Sequence, residues 1–156
     1  MSLHREVFAN LVRAEGWETG AELGVDKGIL FKLLLSSCPK LSLIGVDLGV
    51  DPDRLARVES IALGYQSRAR LYRMSTHDAA DMVPDKSLDF VFIDADHSER
   101  AVLDDIDRWE SKVRPGGWFG GHDYHHRKFP GVVRAVDKVY GDRAAKLAGT
   151  IWGVTL

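Results

Sequence analysis

Apolar residues at Val7, Phe8, Leu11 and Val12 share one helical face, and Gly16 is placed to end that helix. The next apolar run, "AELGV" (21–25), is short enough for a strand. It leads through Gly28 into "ILFKLLLSS", a mostly apolar helix. Pro39 separates that helix from a second buried strand, "LSLIGVDL". "DPDRLARVESIAL" has Asp51 as cap and Pro52 at the first helical position, with Gly64 able to close it. "ARLYRMS" predicts a third strand, and Thr76 a cap for a short helix after it. "LDFVFID" predicts a fourth strand, apolar on both alternating faces apart from Asp89, the pattern of a central parallel strand. Ser98 then caps a helix with Val102, Ile106, Trp109 and Val113 on one side. A turn at Pro115–Gly116 opens "RPGGWFGGHDY" and a fifth strand. "GVVRAVDKVYG" is helical by its valines, and the tail "RAAKLAGTIWGVTL" reads as a closing hairpin around Gly149 and Thr150.

Strand and helix alternate along the chain, which predicts an α/β domain with a parallel sheet covered by helices on both faces. Such sheets bind ligands at the carboxyl ends of their strands, near the point where strand order reverses. The 156 residues suit one domain, 1–156, with a substantial core. A formal charge of -2 without a basic stripe gives no case for a nucleic-acid partner. No apolar run reaches the roughly 20 residues of a membrane span, and "MSLHREVFAN" lacks the apolar stretch of a signal peptide. One cysteine, Cys38, allows no internal disulfide. These features together predict a cytoplasmic protein with no membrane partner.

Candidate chemistry gathers at the strand ends. In "ELGVDKG", Gly24 and Gly28 have three residues between them, and Asp26 stands where a dinucleotide fingerprint requires glycine. An aspartate there opposes a phosphate, so a nicotinamide dinucleotide fits poorly. S-adenosylmethionine, which has no phosphate, fits better. Glu22 can face its cationic part, and Asp47, ending the second strand, can accept both ribose hydroxyls. A tight turn with close helix packing is the structural alternative for the two glycines. In "FIDADHSER", residues two apart share a face if the strand persists, so Asp94 and Asp96 would point together toward His122 and Asp123 of the neighbouring strand. Carboxylates so crowded raise one another's pKa unless a cation sits among them.

These motifs resemble the class I S-adenosylmethionine-dependent methyltransferases: "AELGVDKG", "IGVDLG", "FIDADHS", "VRPGG" and "GGHDY", then "GVVRAVDKVYG". The last four, in their order, resemble the bacterial branch of macrocin O-methyltransferase-like and cephalosporin hydroxylase-like proteins. The resemblance implies a Rossmann-like three-layer sandwich, with a seven-stranded, mostly parallel sheet of order 3-2-1-4-5-7-6 and strand 7 antiparallel. It implies donor contacts from Glu22, Gly24, Gly28, Asp47, Met74, Ser75 and Asp94. It implies a divalent-metal site at Asp94, His122 and Asp123, and a small hydroxylated acceptor. Where metal-dependent members carry a second carboxylate, this chain has His122. Magnesium prefers oxygen ligands, whereas imidazole suits manganese and its neighbours, so either His122 is not a ligand, or the metal is manganese or a neighbour rather than magnesium, or the site is empty.

The base is open between Asp96, adequate for a metal-activated hydroxyl, and His97, better matched to pH 7 without a metal. His125 and His126 read as solvated loop residues, Trp109, Trp118 and Trp152 as packing, and Cys38 as without a role. His77 and Asp78 lie near the adenine region. No cap insertion is evident, so substrate cover is expected from loop 124–130, the first helix or a second copy in a homo-oligomer. Two rivals remain at this level: an NAD(P)-dependent Rossmann oxidoreductase, and a donor-binding module without catalysis.

Overall fold

The computed structural model describes residues 3–156. Thirteen helices and strands, with two single 3-10 turns, follow in chain order. They are α1 (Leu3–Glu15), β1 (Thr19–Leu23), α2 (Ile29–Ser37), β2 (Ser42–Asp47), α3 (Pro52–Gly64), β3 (Ala69–Arg73) and α4 (Thr76–Ala80). Then come β4 (Leu88–Ile93), α5 (Glu99–Trp109), β5 (Val113–Gly121), α6 (Pro130–Val139), β6 (Ala145–Lys146) and β7 (Trp152–Thr155). The sheet order is β3-β2-β1-β4-β5-β7-β6, with β7 antiparallel to both neighbours, as the resemblance implied.

The expected alternation becomes a three-layer core. β4 is buried on both faces because its side chains alternate between two cores. Phe90 and Phe92 pack with Phe8, Val12, Phe31, Leu34 and Trp118 on the α1/α2 side. Val91 and Ile93 pack with Val102, Ile106, Trp109 and Val136 on the α5/α6 side. The Phe8 ring lies 4.4 Å from Phe92 and 5.0 Å from Trp118. Burying an aromatic of this size stabilises by roughly 1.5–3 kcal/mol, so Phe8 fixes α1 to the sheet. Asp89, the polar exception in β4, lies at the end of the sheet opposite the predicted site. It accepts hydrogen bonds from the N–H groups of Glu18 and Thr19, and its other oxygen accepts one from Arg114.

Local signals placed most boundaries. Asp51 caps α3 by accepting from the N–H groups of Asp53 and Arg54, with Pro52 in the first turn, and Ser98 caps α5. Three expectations shift. β1 starts and ends two residues early, which leaves Gly24 and Val25 in the loop. Ser75, not Thr76, caps α4, since its hydroxyl receives the Asp78 N–H. Val113 begins β5 rather than extending the apolar face of α5. Among the described residues no helix is long and apolar enough to cross a membrane.

Candidate active site

β1 and β4 are adjacent parallel strands at the centre of the order, where the chain's crossovers diverge. Their carboxyl ends open into a cleft of about 350 Å³, lined by Gly24, Asp47, Met74, Ser75 and Ala101 among others. A second pocket of about 290 Å³ adjoins it and shares Gly24, Asp26, Asp94 and Ala95. Gly24 makes this joint: at φ +86°, an added Cβ would lie 2.2 Å from the Asp94 carbonyl oxygen. Gly28 has a packing reason, since its Cβ would meet Ile61 of α3 at 2.8 Å. Both glycines thus satisfy the structural alternative, and Gly24 also brings the first loop against the end of β4.

Asp47 stands beneath this loop. Its Oδ2 accepts the N–H groups of Val25 and Asp26 at 3.0 and 2.9 Å, and its Oδ1 accepts that of Gly49 at 2.8 Å. Ser75 likewise uses its hydroxyl within the α4 cap. Asp26, left-handed at φ 49°, pairs with Arg54 at the cleft mouth. Glu22, at the end of β1, is 3% exposed, and its Oε2 has no hydrogen-bond partner among the described residues. Burial above all, then the charge of Asp94, pushes its pKa well up; Arg5 opposes the rise.

At the end of β4 the strand stops at Ile93, so the two-residue alternation does not carry through to Asp96. Asp96 instead turns back to accept the Ser98 N–H at 2.7 Å, and that bond holds its pKa low. His97 takes the place expected for Asp96. Its Nε2 lies 2.6 Å from Asp123 Oδ2 and 3.6 Å from Asp94 Oδ1, and its ring stacks on Phe129 at 4.4 Å. The Asp123 hydrogen bond first, then the Asp94 contact, outweigh burial and push the His97 pKa up to about 9. Burial pushes Asp123 up, but the hydrogen bonds from His122 and His97 overcome it and hold Asp123 well below the usual carboxylate range. Asp123 has a left-handed backbone, φ 60°, a strain that aspartate tolerates and that is typical of functional sites.

Ligand atoms of Asp94, His97 and Asp123 all lie within 4.8 Å of one another, close enough to share one metal ion. The expected set had His122 in place of His97. His122 sits just outside the group, with Nδ1 3.1 Å from Asp123, Nε2 hydrogen-bonded to Thr150 at 3.0 Å, and its ring 4.1 Å from His4. His125 accepts from loop N–H groups, and His77 pairs with Asp104, both away from the cluster. Cys38 is buried beneath α1.

Three participants were not singled out from the sequence. His4 and Arg5 continue the buried stripe of α1 one turn back from Phe8 and Ala9, and helical spacing could have placed them there. Asp105 lies on the Val102–Ile106–Trp109 stripe of α5 and reaches the cleft wall. It is 3% exposed, and burial pushes its pKa up to about 6 against a hydrogen bond with Thr76.

Residues 21–124 match the methyltransferase domain family, and the chain belongs to it. An uncharacterised protein of Acanthamoeba polyphaga mimivirus is 26% identical over 151 residues, 90% of this chain and 68% of that protein. Among solved structures, an O-methyltransferase from Bacillus cereus in complex with S-adenosylhomocysteine superposes with a TM-score of 0.78 at 16% identity. The match covers 100% of this chain and 82% of that one. The O-methyltransferase TomG from Streptomyces achromogenes, involved in tomaymycin synthesis and bound to S-adenosylmethionine, gives 0.76 at 15% identity over 100% and 81%. At such identities the likeness shows the fold. The family excludes the dinucleotide oxidoreductase reading, in keeping with Asp26 in the glycine loop.

Proposed function

We propose that this chain transfers a methyl group from S-adenosylmethionine to a hydroxyl oxygen of a small molecule, with a divalent cation at Asp94 and Asp123. The observation that carries this reading is His97, held between those two acids in the wall of the smaller pocket, beside Asp94, which both pockets share. The O-methyltransferases of Bacillus cereus and Streptomyces achromogenes, with the donor or its product bound, support it.

The bound donor supplies an electrophilic methyl group on a sulfonium. The cation supplies Lewis-acid charge that makes a nearby hydroxyl more acidic. The cleft walled by Met74 and Ala101 takes the adenosine, and Asp47 retains acceptor capacity on Oδ1 for a ribose hydroxyl while holding the glycine loop. The buried Glu22 carboxyl takes the ammonium group, which supplies the partner that Oε2 lacks.

Nε2 of His97 receives the acceptor's proton. As an imidazolium between two carboxylates it cannot do so. Asp94 and Asp123 would hold the cation, whose charge would offset the negative charge that keeps His97 protonated and let its Nε2 accept a proton at lower pH. The Asp96 carboxylate is engaged by Ser98 and more acidic than usual, which disfavours it as the base. The two carboxylates suit magnesium or manganese, and only an imidazole among the ligands would favour manganese.

Calorimetry with S-adenosylhomocysteine, followed by transfer of labelled methyl to a panel of sugars and phenols with manganese or with chelator, tests the reading. Saturable binding and cation-stimulated labelling of a hydroxyl are expected. Absence of binding at millimolar ligand sinks it, and full transfer in chelator removes the cation from it.

A further inference from the structure

The smaller pocket brings together two ionisable groups that do not pair with each other. One is Glu22, buried in its wall with Oε2 unpartnered. The other is Arg5 of α1, half-buried, whose side chain makes no hydrogen bond or salt bridge to any described residue. Its charge is felt at Glu22, where it opposes the upward pKa shift, yet no bond joins them. A guanidinium stays charged at any working pH and offers a planar fork that matches a carboxylate.

The usual donors of a glycine loop are already taken. The N–H of Gly24 goes to the Val46 carbonyl at 2.8 Å and that of Gly28 to the Val25 carbonyl at 2.8 Å. Those of Val25 and Asp26 go to Asp47. An anionic group entering this pocket finds these four amides satisfied and the Arg5 side chain unsatisfied. Lys27 also lines the pocket, but it is exposed and solvated. A simple cation or a simple anion would leave either Arg5 or Glu22 without a partner. An α-amino acid group, carrying both charges on one carbon, satisfies both.

We infer that Arg5 anchors the α-carboxylate of the methyl donor while Glu22 receives its ammonium, so that the N-terminal turn of α1 is part of the donor site. The inference rests on the methyl-donor reading above. It agrees with the layout of the cleft, because the amino-acid pocket meets the adenosine pocket at Gly24, Asp94 and Ala95, beside His97. Burial of Phe8, Ala9 and Val12 holds α1 in place, and His4, next to Arg5, packs on His122.

The test compares two ligands on the full chain by calorimetry: S-adenosylhomocysteine, and 5′-methylthioadenosine, which lacks the amino-acid group. Arg5→Ala should weaken S-adenosylhomocysteine binding by about 10–100-fold, the range for a charged hydrogen bond. It should leave 5′-methylthioadenosine binding and the melting temperature unchanged. Arg5→Lys, which keeps the charge without the fork, should fall between. Equal loss for both ligands, or no loss for either, overturns the inference; so does a selective loss with Lys27→Ala instead of Arg5→Ala. Wild-type protein that binds neither ligand overturns the donor reading and this inference together, whereas failure of Arg5 alone leaves wild-type affinity intact.

Discussion

The two ends of the cleft differ in how their polar groups are satisfied. At the end walled by Met74, Ser75 and Asp47, the polar side chains already serve the protein: Asp47 holds the glycine loop, Ser75 caps α4 and Asp51 caps α3. At the other end, Glu22 Oε2 and the Arg5 side chain have no bonding partner among the described residues, and His97 lies between two carboxylates. The first end is a shaped receptacle that can form without ligand. The second holds charge that a ligand or cation would complete. Enzymes are expected to concentrate perturbed groups where chemistry occurs, and here Glu22, His97 and Asp123 gather on one side of Gly24.

The comparison breaks most sharply at His97. Replacement by alanine should lower turnover by about 10²–10⁴-fold, the usual contribution of a general base, with S-adenosylhomocysteine affinity kept. A matching fall in affinity would instead mark His97 as part of the donor site. The pH profile sharpens the same point. A base must be neutral, so in chelator the rate should rise through about pH 9, and saturating cation should move that rise to lower pH. A profile indifferent to cation would separate His97 from the acids around it. The same raised pKa gives a linkage effect: the stability His97 contributes is complete below about pH 6.5 and is lost as pH rises through about 9.

Gly24 is the hinge of the comparison, because it joins the two ends. Gly24→Ala forces a left-handed alanine against the Asp94 carbonyl and should destabilise the fold by about 2–3 kcal/mol. Chemical denaturation gives the number, and an unchanged midpoint would show that the loop can relax away from β4.

Asp105 is an exception at the receptacle end, a buried acid in a wall of satisfied groups. Its folded pKa of about 6 lies above the ordinary 3.8, so the wild type loses stability as pH rises through about 6. Relative to wild type, Asp105→Asn should be near neutral below pH 3.8 and more stable by up to about 3 kcal/mol at pH 8. A pH-independent difference between the two would mean that the Asp105 charge is compensated. The smallest effect belongs to the purely structural Asp51 cap, where alanine should cost about 1 kcal/mol in thermal unfolding.

Much of this was legible along the chain. Periodicity marked α1, α2 and β4; Asp51 and Ser98 announced their helices by the hydroxyl or carboxylate each offers to exposed N–H groups; Glu22, Asp47 and Asp94 stood at strand ends. The order of the strands came from the resemblance and agrees with the sheet. The error over Asp96 has a definite cause. The alternation rule holds only while the chain stays extended, and here it turns after Ile93, so Asp96 binds its own backbone while His97 swings toward Asp123.

The sequence by itself determined which segments become helices and strands, where they are capped, and that acids collect at the carboxyl end of the sheet. These properties follow from neighbours within a turn or two of one another. Tertiary structure alone decided that His97 rather than Asp96 meets Asp123, that Asp105 reaches the cleft, and that Arg5 of α1 and Glu22 of β1 line one pocket. Each of those arrangements brings together residues from different elements. Such contacts depend on how Phe8, Phe92 and Trp118 lock the helices to the sheet, which no local pattern encodes.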